Sequence, residues 1–361
     1  MLATGSASGR GDVVPFVVRP GPSAAGARIL VVAPVNTWQA YNTWGGKSLY
    51  VNLLGPNAKA YARAVSFDRP YDAYTSRMLL YWEYPLVRFL ERNGYDVAYE
   101  TDVDVDRDPA ALSGHALVVV AGHSEYWTPG MRDAFEAARA AGTNLAFVGG
   151  NDGYWQARYA DARRTLLEYR SAQLDPSPAA ATKTVRFRDL QPPRPECSLV
   201  GVEWQGGWES NGLAPAYTVV PSSLREPWFR GTGFTGGGTL PGLVGYEWDA
   251  VEPSCPVPPL TVYFHYQGKP APPNRSPFTH SWYSTNADVV SYTAPSGARV
   301  FATGSIQFSW GLDGFARTLH AGIAELTDRY APDPRLQRFM RNVFDDLSTP
   351  TGLDEDTGGS R

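Results

Sequence analysis

Two runs of consecutive aliphatic residues, Ile29-Leu30-Val31-Val32-Ala33 and Ala116-Leu117-Val118-Val119-Val120, constrain this chain more than any other feature. Neither alternates with polar residues. Each therefore reads as a strand covered on both faces, the pattern of a parallel sheet sandwiched between helices. The second run leads to Thr128 as a helix N-cap and Pro129 in the first helical position. Met131, Phe135 and Ala138 then share a face, and Gly142 stops the helix. Asn144 to Val148 follows as the next strand. Strand, helix and strand with such short links form a βαβ unit, so the expected fold class is α/β, a parallel sheet flanked by helices. A further helix is expected over Tyr84 to Asn93 and a short strand over Asp96 to Tyr99.

Composition shifts along the chain and suggests its divisions. Residues 1–25 are rich in Gly, Ser and Pro and read as a flexible or truncated N-terminal segment. Residues 26–174 with 278–348 carry the α/β signals, the last being a closing helix with Leu336, Phe339, Met340, Val343, Phe344 and Leu347 at helical spacing. Between them, 175–277 is dense in Pro and Gly without helical period and reads as an irregular β-rich insert. Residues 349–361 read as a disordered tail. The net charge of −4 provides no basic field for nucleic acid. No run approaches the ~20 apolar residues of a membrane span, and the start lacks the signature of a secretory signal, so a cytoplasmic location is expected. Cys197 and Cys255 are too few for a disulfide framework or a cysteine zinc site, and whether they form one bridge is left open.

In open α/β sheets ligands bind beyond the carboxyl ends of strands. Three stretches occupy such places: Asn36 to Tyr50, Gly122 to Trp127, and Gly149 to Trp155. Gly122-His123-Ser124-Glu125 superficially suggests a serine nucleophile, but Tyr126 and Trp127 follow where the nucleophile elbow needs a small residue and an immediate helix. In extended chain His123 and Glu125 point to one side and Ser124 to the other, so the paired groups are the histidine and the glutamate. A carboxylate beside a histidine is often only structural, and tyrosine clusters mostly pack loops onto a core. Yet Tyr41, Tyr50 and Glu125 together would make a hard, anionic, all-oxygen donor set suited to ferric iron. Asn151 also suits a left-handed turn after Gly149-Gly150.

These motifs carry a resemblance. TWQAYN-WGG-SLY, FDRPY, EYPLVRFLERNGYDV, GHSEYW, GGNDGYWQAR, GYEWD and FSWGLD, in that order from Ile29 to Leu347, resemble the C-terminal catalytic region of the N,N-dimethylformamidase large (beta) subunit and its bacterial relatives. The resemblance implies a fold like class I glutamine amidotransferases and a mononuclear, non-haem Fe3+ site. It places the metal ligands at Tyr41, Tyr50 and Glu125, with Tyr71 of FDRPY as the reserve for Tyr50. His123, Asn151 and Glu125 are the implied catalytic residues. The implied function is metal-dependent hydrolysis of a C–N bond in a small amide, with Trp38, Trp44 and Trp127 lining an apolar pocket. A small partner subunit or a homo-oligomer is the implied assembly, with the 175–277 segment as its contact surface. The rival reading is a non-catalytic module that binds a sugar or peptide through its aromatic loops.

Overall fold

The two aliphatic runs lie side by side at the centre of a nine-stranded sheet in the computed structural model, which describes residues 2–5, 12–21, 26–55, 60–207, 215–268, 285–315 and 331–349. In chain order the strands of this sheet are β1 (Ile29–Ala33), β2 (Val97–Thr101), β3 (Leu117–Gly122), β4 (Asn144–Gly149), β5 (Tyr217–Val219), β6 (Thr239–Leu240), β7 (Thr261–Tyr266), β8 (Ala287–Thr293) and β9 (Arg299–Ala302). Their spatial order is β6-β5-β7-β8-β9-β4-β3-β1-β2. From β9 to β2 all pairings are parallel, and from β6 to β9 all are antiparallel. The sheet is thus mixed, not parallel throughout as expected. Three strands of the 175–277 segment, β5, β6 and β7, extend this same sheet.

Alternate residues of each central strand enter different cores, which is why no polar position could be spared. Ile29, Val31, Leu117, Val119, Ala146 and Val148 pack with helix α2 (Tyr84–Arg92) and the closing helix α5 (Pro334–Leu347). Leu30, Val32, Val118, Val120, Leu145 and Phe147 pack with helix α4 (Pro129–Ala140). Its cap is the expected one: the Met131 N–H donates to Thr128 Oγ1 at 3.1 Å. Two short helices leave the strand ends, α1 (Val35–Tyr41) after β1 and α3 (Asp102–Arg107) after β2.

Leu2–Gly5 pairs antiparallel with Asp12–Pro15, and residues 16–18 then run over the α2 side of the sheet. The expectation for the tail falls outside the described residues from 350 onward. Cys197 and Cys255, whose pairing the sequence left open, form a disulfide. Among the described residues no helix is long and apolar enough to cross a membrane.

Asp175, just past the regular α/β signals, anchors the start of the 175–277 segment. Its carboxylate receives Arg158 Nη1 and Nη2 at 2.7 and 2.8 Å and both the N–H and hydroxyl of Thr184 at 2.7 Å. Burial alone would raise its pKa, but these donors and the Ser177 N–H outweigh it and hold the group well below its ordinary 3.8. A depressed folded pKa contributes stability that is present above about pH 4 and lost as the pH falls through the folded value. Asp175→Asn should therefore cost about 2–3 kcal/mol at neutral pH. It should also flatten the acid side of a pH–stability profile measured by urea unfolding.

Candidate active site

The carboxyl edge of the central strands is shaped by two glycines. Gly122 and Gly149 end β3 and β4 in register, and a Cβ at 149 would collide with the Gly122 carbonyl oxygen. Gly122 has φ +72°, a conformation that costs other residues strain. This close approach turns the chain so that His123 and Asn151 leave the sheet next to each other: the His123 ring nitrogen Nδ1 lies 3.2 Å from the Gly150 carbonyl oxygen. A carbonyl only accepts, so Nδ1 carries the proton and Nε2 faces the site.

Around Nε2 the sequence candidates converge. Tyr41 Oη lies 3.2 Å from His123 Nε2 and donates to Glu125 Oε2 at 3.2 Å. Tyr50 Oη makes a very short hydrogen bond to Glu125 Oε1, and the two phenol rings stack with centroids 4.4 Å apart. His123 and Glu125 are buried, whereas Tyr41 and Tyr50 keep some exposure, so the group forms a buried floor beneath a partly open mouth. Glu125 is held by its own N–H, which donates to Thr37 Oγ1 at 2.9 Å. Ser124 turns away as expected: its hydroxyl accepts the Trp127 indole N–H at 2.8 Å.

FDRPY serves the site from behind. Arg69 donates to the carbonyls of Gln39, Trp44 and Lys47, and Asp72 accepts from the N–H and hydroxyl of Thr43, so this segment staples the loop that carries Tyr41 and Tyr50. Tyr71 packs edge-on against Trp38 and hydrogen-bonds Gln39; it belongs to the staple and not to the cluster at Glu125. The expected tryptophan pocket does not form. Trp127 stacks on Phe135 at 4.7 Å in the α4 core, Trp38 is buried, and Trp44 is 52% exposed. The Trp127 indole that Ser124 holds is committed to packing in the α4 core.

Three residues in the site escaped the sequence reading. Glu247, from GYEWD, lies on a strand over Glu247–Ala250 that pairs with Glu203–Gly207 outside the main sheet. It accepts from Asn151 Nδ2 at 2.6 Å and from the Trp204 indole at 3.1 Å. Asp249, two residues on, receives the Asn151 backbone N–H at 2.9 and 3.0 Å and holds Asn151 in its left-handed conformation, φ +55°. The spacing of Glu247 and Asp249 on one strand face was legible, but not its destination. Arg170 lays its guanidinium over the Tyr50 ring at 3.9 Å and donates to Tyr126 Oη at 2.5 Å. Its arginine-over-tyrosine pairing had no local signal.

Electrostatics follow from this crowding. Burial, reinforced by the Glu125 charge, holds both phenols well above their ordinary range. Burial also pushes Glu247 up to about 7, against the opposing His123 charge and the Asn151 and Trp204 hydrogen bonds. For His123, burial lowers the pKa but the Glu125 hydrogen bond and the Glu247 and Glu125 charges outweigh it, leaving it at about 9. Burial thus holds the two phenols and Glu247 toward their neutral forms, with His123 and Arg170 as the cations beside them. The converging oxygens of Tyr41, Tyr50 and Glu125 are of the donor type that suits a hard cation. Among the described residues no group of three His, Cys, Asp or Glu is placed to hold a metal, so that fit rests on the phenols.

Residues 2–322 match the family model described as N,N-dimethylformamidase beta subunit-like, C-terminal. No curated protein matches the chain. With a match over most of its length, the chain belongs to the N,N-dimethylformamidase beta subunit-like, C-terminal family.

Proposed function

We propose that this protein is a metal-dependent hydrolase of a C–N bond in a small amide, with ferric iron held by Tyr41, Tyr50 and Glu125. The observation that carries the reading is the meeting of two phenol oxygens with the two oxygens of one carboxylate at a partly open site. The family name supports an amidase of the dimethylformamidase kind, acting as one subunit of an assembly. An iron ion bound there supplies Lewis acidity toward an amide carbonyl and makes a bound water more acidic.

The chain's own groups supply the proton handling. Glu247, with a pKa of about 7, can be ionised or protonated near neutrality, the property of a general base that must also return its proton. It takes a proton from the attacking water as the new C–O bond forms, and gives it to the amide nitrogen as the C–N bond breaks, leaving a carboxylic acid and an amine. Asn151 orients Glu247 through its amide N–H while its own Oδ1, buried and without a partner, remains free to accept from a substrate or water. His123, cationic below about pH 9, places a positive charge beside the Tyr41 oxygen. Arg170 does the same for Tyr50 from the face of its ring. The small partner subunit and the surface of the 175–277 segment remain part of this proposal.

Anaerobic reconstitution with iron followed by air oxidation should give a coloured protein with stoichiometric iron, because phenolate-to-iron charge transfer absorbs visible light. Tyr41→Phe should lose or strongly shift that band. A colourless protein with full iron occupancy would remove the tyrosinate ligands, and failure to bind iron would favour the module that binds sugar or peptide.

A second set of variants separates the roles. Glu125→Gln should lose iron and turnover together, whereas Glu247→Gln should keep the iron and the colour but lose about 10²- to 10⁴-fold in kcat. Ser124→Ala should retain both activity and iron. Steady-state kinetics on dimethylformamide and other small amides, with metal analysis of each variant, check all three. The chain without a partner should turn over dimethylformamide weakly.

A further inference from the structure

A cavity of about 450 Å³ lies between the Phe16–Val18 segment, β1 and α2. None of Tyr41, Tyr50, His123, Glu125, Asn151 or Glu247 lines it, so it is separate from the candidate active site. Its volume falls in the range of small-molecule sites. Val17, Val31, Ala33, Leu79 and Val87 give it aliphatic walls, and among its described lining residues the only acidic or basic side chains are two carboxyls. Glu91, exposed at the rim, accepts the Tyr99 hydroxyl at 2.7 Å. Glu83 is 2% exposed, and neither of its carboxylate oxygens has a hydrogen-bond partner. The His123 backbone N–H and the Trp38 indole N–H approach it without reaching normal hydrogen-bond geometry.

An aliphatic cavity that carries an unpartnered buried carboxyl, with no basic side chain among its described lining residues, has a definite complement. Burial pushes the Glu83 carboxyl up to about 8, so near neutrality the empty cavity holds a neutral acid, which a bound cation would ionise and a bound anion would keep protonated. A neutral alcohol would leave the charge of an ionised Glu83 unbalanced, while a cation supplies both the charge and the donors that a buried carboxylate needs. We propose that this cavity binds an alkylammonium ion, with its nitrogen on Glu83 and its hydrocarbon along Val17, Val31 and Val87. The site touches the peptide that carries His123: a Cβ placed on Gly122 would come within 2.5 Å of Glu83 Oε1. The inference is independent of the iron reading, since no proposed ligand of iron takes part.

Calorimetric titration of the full chain with hexylammonium, hexanol and hexanoate tests it, with methyl NMR to locate the ligand. Hexylammonium should bind at least tenfold more tightly than hexanol or hexanoate, and the methyls of Val17, Val31 and Val87 should shift. Glu83→Gln should lose the tenfold preference while keeping the weaker hexanol binding. Val87→Trp, at a half-buried position on α2, should fill the cavity and abolish binding of both ligands; it keeps the test decisive if the Glu83 variant folds poorly. Equal affinity of the wild-type chain for hexanol and hexylammonium, full hexylammonium affinity in a folded Glu83→Gln variant, or no hexylammonium binding would each overturn the assignment.

Discussion

The close backbone approach of Gly122 to Gly149 governs the geometry of everything that follows. Two parallel strands that end in register would normally release their chains into separate loops. Here the absence of a side chain at 149 and the positive φ at 122 let both chains turn over the same edge. His123 is thereby tied to the Gly150 carbonyl, and Asn151 emerges one residue later toward Glu247. Without that approach the histidine, the asparagine and the carboxylates that they address would not share a site.

The electrostatic composition of that edge runs against folding stability. Glu125, Asp152, Asp249 and Asp102 are buried within or behind the site, and burial is the leading cause that raises Asp152 to about 7 and lifts Asp102 and Asp249 well above their ordinary value. Unpaired buried carboxyl oxygens remain on Asp102 and Asp152. A core selected only for stability would replace such groups with apolar ones. Their concentration beside one histidine and one arginine is the local inconsistency that marks a functional site. Elsewhere the chain follows the usual rules, as the capped helix α4 and the fully apolar inner strands show.

The loop that carries Tyr41 and Tyr50 meets a different difficulty, since loops have little packing of their own. It is fixed by long-range fasteners, with the Arg69 guanidinium bonded to three of its carbonyls and Asp72 bonded to Thr43. Tyrosine ligands on a freely moving loop could not hold a common point. The stacking of the two phenols at 4.4 Å and the Arg170 plane on Tyr50 complete that rigidity.

Local chemistry made several elements legible from the sequence alone. Continuous aliphatic runs marked β1, β3 and β4 because strands buried on both faces cannot afford polar positions. Thr128 and Pro129 marked the start of α4, and strand alternation at 123–125 set Ser124 apart from His123 and Glu125. Tertiary structure decided the rest. The antiparallel half of the sheet comes from short strands scattered through Pro- and Gly-rich sequence, where no period of useful length exists. Trp127 reads locally as a pocket residue but stacks on Phe135 because α4 returns over its strand. Asn151 meets Glu247 across 96 residues, and Arg170 meets Tyr50 through the face of a ring; neither contact leaves a trace in local spacing. Residue type and periodicity fix what a segment can become, whereas which distant charges share one buried volume is settled only when the chain closes around them.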